Sequence, residues 1–256
     1  MKYRNLLIPL WLLVVSLVFS ACNVHINIET GANGKNEATE ISATSQDRAD
    51  QDLAQGLVAY WSFDKCDASD GSGNGLNGVV YGRLECVHAV KGKGIRLQSH
   101  AYIEVPNAPA INFSPSGEFS IALWVRNESP EGEWKALVVK SPISGWWNYG
   151  LYISKENLFM GGFHNTHVVY STSLADEQWH AVVLTYNGGT WQLYVDGQLE
   201  DEVKDGPKID QSNGALAIGR KGESDNNFDY FEGYLDEVRL YNRVLTPSEI
   251  QFYSRR

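Results

Sequence analysis

Three stretches hold residue types that could do chemistry. The first, SPISGWWNYG (141–150), sets Trp146, Trp147 and Tyr149 beside Gly145 and Gly150. Exposed aromatic rings make flat platforms for sugar rings, and a few polar groups then fix orientation. Asn148, His164 and Asn165 are the nearby polar candidates, and Trp134 of EGEWK is a further aromatic edge. Neighbouring residues of a strand point to opposite faces, so a strand here would bury at most one tryptophan, whereas a loop exposes both. The plainer alternative is a tryptophan that plugs one end of the fold, since Trp is largely buried on average. The second stretch, DGSGNGLNGVVY (70–81), puts Asp70, Ser72, Asn74 and Gly75 where an EF-hand loop carries its first ligands. Tyr81 stands where that loop requires a bidentate Glu, so the stretch reads as a Gly/Asn-rich turn. The third group is carboxylates. Glu223 and Asp225 fall in a loop, and LEDEV (199–203) spreads its acids over opposite faces of a strand. No Gly-x-Ser-x-Gly elbow and no His-Glu-x-x-His pair occurs. His164 and His167 have helical spacing in a region that reads as strand and turn, so they lack ligand geometry. These residues favour binding over catalysis.

The elements that position them are short strands. QWHAVVLTYNGGTWQLYVDGQLE (178–200) reads as a hairpin. Trp191, Leu193 and Val195 alternate with Gln192, Tyr194 and Asp196, as in a half-buried strand. The first arm is apolar on both faces, as expected of a strand covered on both sides. Asn187-Gly188 and Asp196-Gly197 tolerate the positive φ of tight turns. Trp179 and Trp191 are therefore architecture, with Tyr194 lining a sheet face. Further strand-like runs lie at 56–63, 101–105, 119–126, 135–140, 148–154, 166–171, 215–219 and 233–241. Many short strands without intervening helical periodicity point to an antiparallel sandwich or barrel. One helix is expected, at TPSEIQFY, with Thr246 as N-cap, Pro247 at its first position and Glu249 closing a capping box.

The chain starts with Lys2 and Arg4 ahead of an apolar run, Leu6 to Phe19, of signal-peptide length and short for a membrane span. Phe19-Ser20-Ala21 before Cys22 resembles a bacterial lipobox. That implies a signal peptide over 1–21, cleavage before Cys22 and acyl chains on it, several of which anchor durably. The alternative is an ordinary secretory signal with an incidental cysteine. Residues 22–56 lack aromatics and are rich in Asn, Ala, Ser, Thr and acids, so they read as a disordered tether. Such a coil spans roughly 30–35 Å between its ends. The remaining 57–256 suffices for one domain. Loss of the leader removes two bases and no acid, moving the net charge from −10 to −12. Nucleic acid is then a poor partner, because that binding rests on phosphate neutralisation by Lys and Arg. Cys66 and Cys86 are the only other cysteines. In an oxidising compartment they have one possible pairing; the alternative is two separate thiols.

GLVAYWSFD, then CDASDGSGNGLNGVVYG and a second cysteine, resembles the start of a LamG-like domain of the concanavalin A-like lectin/glucanase superfamily. KGKGIRLQSHAYIEVP, EFSIALWVR, the hairpin, LAIGR and FEGYLDEVRLYNRVLTPSEI follow in that family's order. The resemblance covers 57–256 and implies an all-β, antiparallel two-sheet jelly roll. It further implies a structural role for His180 beside Trp179, a Cys66–Cys86 disulfide and a structural Ca²⁺ held by Asp64 and Asp236, with carboxylates and carbonyls as hard oxygen ligands. For Asp236 the competing role is a hydrogen bond tying strand ends together. Glucanases of the superfamily resemble one another in an E-x-D-x-x-E strand motif that aims two carboxylates into one cleft. Here ESD is followed by Asn226, Asn227 and Phe228, so the third acid is missing. The fold by itself does not fix a function. The expectation is a monomeric, non-catalytic module, lipid-anchored at a bacterial outer membrane or cell surface, that binds glycan or an extracellular protein through Trp146, Trp147, Asn148, Tyr149 and His164. A glycoside hydrolase or lyase of the same fold and a passive surface protein are the alternatives.

Overall fold

The computed structural model describes residues 37–129, 131–141, 148–163, 166–221 and 229–255. The leader, Cys22, Trp146, Trp147 and His164 lie outside them. The described chain opens with α1 (Glu37–Ala54), followed by β1 (Leu57–Trp61), β2 (Val79–Tyr81), β3 (Glu85–His88), β4 (Lys93–Leu97) and β5 (Tyr102–Val105). Next come β6 (Glu118–Asn127), β7 (Lys135–Lys140), β8 (Tyr149–Ile153), β9 (Leu158–Phe163) and β10 (Thr166–Leu174). The last elements are β11 (His180–Asn187), β12 (Thr190–Val195), β13 (Gln198–Val203), β14 (Leu216–Ile218), β15 (Gly233–Tyr241) and α2 (Pro247–Tyr253). None of the described helices is long and apolar enough to cross a membrane.

The strands form two antiparallel sheets in a jelly-roll sandwich. The eight-stranded sheet runs β13-β12-β11-β6-β15-β4-β3, with β1 also on β15; the seven-stranded sheet runs β10-β9-β8-β7-β14-β5-β2. Alternation sends Ile121, Leu123, Val125, Val182, Leu184, Trp191 and Leu193 of one sheet against Tyr149, Leu151, Ile153, Leu216 and Ile218 of the other. The other face of the eight-stranded sheet is covered too, because Ala122, Trp124, Ala181, Val183 and Tyr194 pack under Ile250 and Tyr253 of α2. That second layer is why β11 is apolar on both faces.

The hairpin of β11 and β12 forms as expected, with Gly188 (φ +56°) and Gly189 (φ +123°) as its turn, one residue later than the sequence suggested. The Asp196-Gly197 turn (φ +51° and +81°) is where it was expected. α2 has its full capping box, since Thr246 Oγ1 accepts from the Glu249 N–H while Glu249 accepts from the Thr246 N–H. β13 seals the edge of the other sheet with side chains. Asp201 accepts the Tyr170 N–H at 3.0 Å, and Glu200 accepts the N–H and hydroxyl of Thr172 at 2.8 and 2.6 Å. Edge donors satisfied in this way are closed to a foreign strand.

Two expectations, about the cysteines and about the tether, meet different outcomes. Cys66 and Cys86 are disulfide-bonded, with Cα atoms 5.3 Å apart and a sequence separation of 20. A closed loop of that length is worth about 3 kcal/mol. By contrast, residues 37–54 of the expected disordered tether form α1. The segment is poor in apolar residues, as read, but one of them suffices to fix its end. Leu53 is buried against the α2 layer, and Arg243 holds the backbone beside it. That guanidinium donates from Nη2 to the Asp52 carbonyl and from Nε to the Gln55 carbonyl, both at 2.8 Å, while pairing with Glu249 at 2.5 Å. Gly56 is required at the corner, because at φ +66° a Cβ there would sit 2.8 Å from Asn242 Oδ1 and 3.0 Å from Arg243 Cδ.

Candidate functional site: an aromatic platform on the seven-stranded sheet

Of the expected sugar-binding residues, Trp146, Trp147 and His164 fall outside the described part of the chain, as does the Glu223–Asp225 stretch. The two that are described face away from any ligand. Tyr149 is 1% exposed, donates its hydroxyl to the Ile111 carbonyl at 3.0 Å and packs against the Phe119 ring, centroids 4.8 Å apart. Asn148 is also buried, its Nδ2 donating to the Asp210 carbonyl. The reason is that β8 begins at Tyr149, and alternation sends Tyr149, Leu151 and Ile153 together into the core. Neither belongs to a sugar face.

The structure assembles a different aromatic surface, on the outer face of the seven-stranded sheet at its β2 edge. β2 pairs with β5 so that Tyr81 lies opposite Tyr102 and Val79 opposite Glu104, while Val80 and Ile103 turn inward. Tyr81 and Val79 are 42% and 49% exposed. The two tyrosine rings stack in parallel, centroids 4.7 Å apart and 4° from coplanar. The Arg220 guanidinium lies 3.8 Å from the Tyr102 centroid and pairs with Glu104 at 3.6 Å. Ring and cation cannot share one face, so Tyr102 is held from both sides. Burial pushes the Tyr102 hydroxyl pKa up, keeping it a neutral donor. Tyr230 continues the run 6.3 Å from Tyr102, and His100 lies 4.5 Å beyond it. His100 sits in the β4–β5 turn, where Ser99 and His100 adopt φ +53° and +62° in succession, and Glu232 accepts the Ser99 N–H at 3.0 Å. Successive left-handed non-glycine residues are costly and concentrate at functional sites.

With both faces of Tyr102 covered, Tyr81 is the ring that can present a π face to the C–H side of a sugar, with Glu104, Arg220 and His100 at hand for its hydroxyls. Tyr81 and Tyr102 stand in short strands with the β3–β4 hairpin between them, so their adjacency is a product of pairing rather than of spacing. The available clue was that each points outward from its strand. At the far end of the same sheet, Trp134 stacks on His167 at 4.5 Å, with Tyr170 edge-on at 6.0 Å. Trp134, expected as an aromatic edge, is partly buried there.

Asp64 and Asp236 approach one turn from two sides. Asp236 is fully buried, and its two oxygens accept the N–H groups of Lys91 and Glu237, each at 2.8 Å. Asp64 accepts the Lys93 N–H at 3.0 Å. Burial first, then the charges of Glu237 and Asp64, push the Asp236 pKa up to about 7 against those hydrogen bonds. A buried carboxylate with two amide donors and an acidic neighbour suits a hard cation. Among the described residues no group of three His, Cys, Asp or Glu has metal-site geometry, so carbonyl oxygens would have to complete the shell. The EF-hand-like stretch is a turn, as read: against burial, the N–H groups of Ser72, Leu76 and Tyr60 hold the Asp70 carboxyl low, and Asn74 caps the β1 carbonyls of Leu57 and Val58.

A pocket of about 370 Å³ opens at one end of the sandwich, lined by Glu128, Glu131, Glu156, Asp176 and Glu177 among others. Two of its acids are engaged: Glu128 with Arg96 at 2.8 Å, and Asp176 with His180 at 3.1 Å. His180 also bonds Asp196 at 2.8 Å, and Asp196 and Asp176 together raise its pKa despite burial. This histidine ties β11 to its flanking turns, as the structural reading required.

Residues 97–251 match the Laminin_G_3 family of the concanavalin A-like lectin/glucanases superfamily. Among solved structures, domain 4 of AbnA, a GH43 extracellular arabinanase from Geobacillus stearothermophilus in complex with arabinotriose, is similar with TM-score 0.66. It is 22% identical, over 78% of this chain and 98% of that one. The binding domain of Paraclostridial Mosquitocidal Protein 1 is similar with TM-score 0.64 at 22% identity, over 79% of this chain and 52% of that one. A sushi, von Willebrand factor type A, EGF and pentraxin domain-containing protein 1 from Rattus norvegicus is 31% identical over 129 residues. That match is 43% of this chain and only 4% of the relative. With the two-sheet architecture and the family match over most of the sandwich, this chain belongs to the laminin-G-type family of the concanavalin A-like superfamily.

Proposed function

We propose that this protein is a non-catalytic carbohydrate-binding module, exported and held at a bacterial surface by acyl chains on Cys22, with the Tyr81–Tyr102 platform as its sugar site. The observation that carries the reading is the exposed Tyr81 ring, stacked in parallel on a Tyr102 that Arg220 holds from the other side. The arabinotriose complex of a similar domain supports the ligand class. A glycan array probed with residues 23–256 identifies the sugar. Tyr81→Ala is then expected to weaken binding to it by about 1–3 kcal/mol. Stability should change little, because Tyr81 is exposed. Folded Tyr81→Ala and Tyr102→Ala variants that bind with unchanged affinity would remove the platform from the site, and release of reducing ends from the sugar would restore the hydrolase alternative.

Calcium at Asp64 and Asp236 belongs to the same proposal, as a structural ion that neutralises the buried carboxylate. An ion that binds only the folded state stabilises it by about 2.7 kcal/mol at a hundredfold excess over its Kd. For a domain of this size that raises Tm by roughly 5–10 °C. Asp236→Asn should abolish the rise. Identical melts in calcium and in chelator would take the metal out.

A further inference from the structure

The outer face of the eight-stranded sheet carries a row of alternating arginine and aromatic side chains that the sugar platform does not use. Register places Glu85 opposite Arg96, Arg96 opposite Tyr234 and Tyr234 opposite Arg126, and Trp179 precedes β11 at the position that faces Arg126. The five side chains thus share one face, four of them from β3, β4, β15 and β6 and the fifth from the residue that leads into β11. The Arg126 guanidinium lies 4.8 Å and that of Arg96 5.4 Å from the Tyr234 ring centroid, and the Trp179 ring is 6.1 Å from Tyr234.

The two arginines are unequally satisfied. Arg96 donates to Glu128 from Nε at 3.0 Å and from Nη2 at 2.8 Å, and its Nη1 reaches Glu85 at 3.5 Å. Arg126 has one long ion pair, Nη2 to Glu128 at 3.5 Å, and its buried Nε–H has no acceptor among the described residues. Its side chain remains 36% exposed. A planar fork whose donors are largely unspent, resting on one ring and bordered by another, is built for bidentate contact with a carboxylate attached to a ring.

We propose that Arg126, with Trp179 and Tyr234, forms a second binding site, specific for a terminal acidic sugar. The sugar's carboxylate pairs with the Arg126 fork, and its ring packs against Trp179. The surroundings limit the ligand to a single acid: Glu128 also borders the pocket that holds Asp176 and Glu177, and the chain as a whole carries a charge of −10. A polyanion is repelled there. One carboxylate on an otherwise neutral saccharide is not.

The test titrates the protein with an aldobiouronic acid, a neutral sugar capped by one uronic acid, and with its methyl ester, following arginine Nε–H signals by NMR. One such signal, missing in Arg126→Lys, is expected to shift and saturate with the acid and to stay still with the ester. Arg126→Gln should weaken binding at least tenfold while leaving glycan binding at Tyr81 intact, and Tyr81→Ala should leave the acid site intact. If Arg126→Gln does not fold, Arg126→Lys carries the same expectation, since it keeps the charge and loses the fork. Equal response to acid and ester, unchanged affinity in the folded variants, or binding of an acidic peptide in place of the sugar would each overturn the proposal.

Discussion

Replacing Glu237 by alanine is expected to cost the fold about 3–5 kcal/mol, the penalty for removing one partner of a buried ion pair. The Glu237 side chain is fully buried in β15. It accepts from the Tyr60 hydroxyl and from Arg239 Nη2, the latter at 2.6 Å, with Lys91 Nζ at 3.8 Å. Arg239 is itself 7% exposed and otherwise faces the rings of Tyr60 and Tyr253, at 4.5 and 5.5 Å. Without Glu237 it becomes a buried cation with aromatic faces and no carboxylate. Burial and the Glu237 charge hold the Tyr60 hydroxyl far above its ordinary pKa, so it keeps its proton and loses its acceptor in the variant. The backbone is not the cause of the loss, since alanine at φ +53° is as strained as glutamate. Urea midpoints at unchanged m-value measure the effect, and a loss under 1 kcal/mol would show that Arg239 finds another partner.

Raising the pH from about 8 to 10 should stabilise the protein, and Lys140 should be the main reason. This lysine is fully buried at the end of β7, donating to Asn107 Oδ1 at 2.7 Å and to the Gly214 carbonyl, without an ion pair in the described structure. Burial lowers its pKa to about 8. In the unfolded chain it holds its proton to about 10.4. Between those values the unfolded state binds more protons than the folded one, so stability rises by at most about 1.4 kcal/mol per pH unit. Lys135, at the other end of the strand, is shifted the same way by burial and adds to the slope. Tyr149 and Tyr253, whose hydroxyls burial holds above their ordinary value, act in the opposite sense only where free phenols ionise, near 10. Lys140→Met should flatten the rise between pH 8 and 9.5. A wild-type profile already flat there would mean that the ammonium is solvated in solution.

What was legible in the sequence was local. The β11–β12 hairpin, β7, β15 and the α2 cap all follow from alternation and turn chemistry within a dozen residues, and each stands where the pattern put it apart from the hairpin turn, one residue later. The Tyr81–Tyr102 pair was not legible, because it depends on which strand β2 chooses as neighbour. Tyr149 was misread for a related reason. The strand-like run at 148–154 was legible, whereas which of its faces turns into the core depended on where β8 starts and what packs over it. The bulge at Asp236–Glu237 left no residue signal either, since a left-handed turn of backbone usually announces itself by Gly or Asn and here is carried by Glu237. α1 stood outside composition altogether, for its foothold is one leucine and an arginine far along the chain.

The Arg243 clamp moves the working border of the domain upstream of its first strand. A fragment cut at Leu57 would keep every strand yet lack the Leu53 plug and two carbonyl acceptors of the Arg243 fork. The guanidinium would be left with Glu249 and its neighbouring Val244 carbonyl, and a notch beneath it. Proteases should therefore nick the chain ahead of Asp52 and spare the peptide bonds from 52 to 57, although those bonds precede the sandwich. The shortest fragment that expresses well should begin at or before Asp52, and one trimmed to the strand should be recovered in poorer yield.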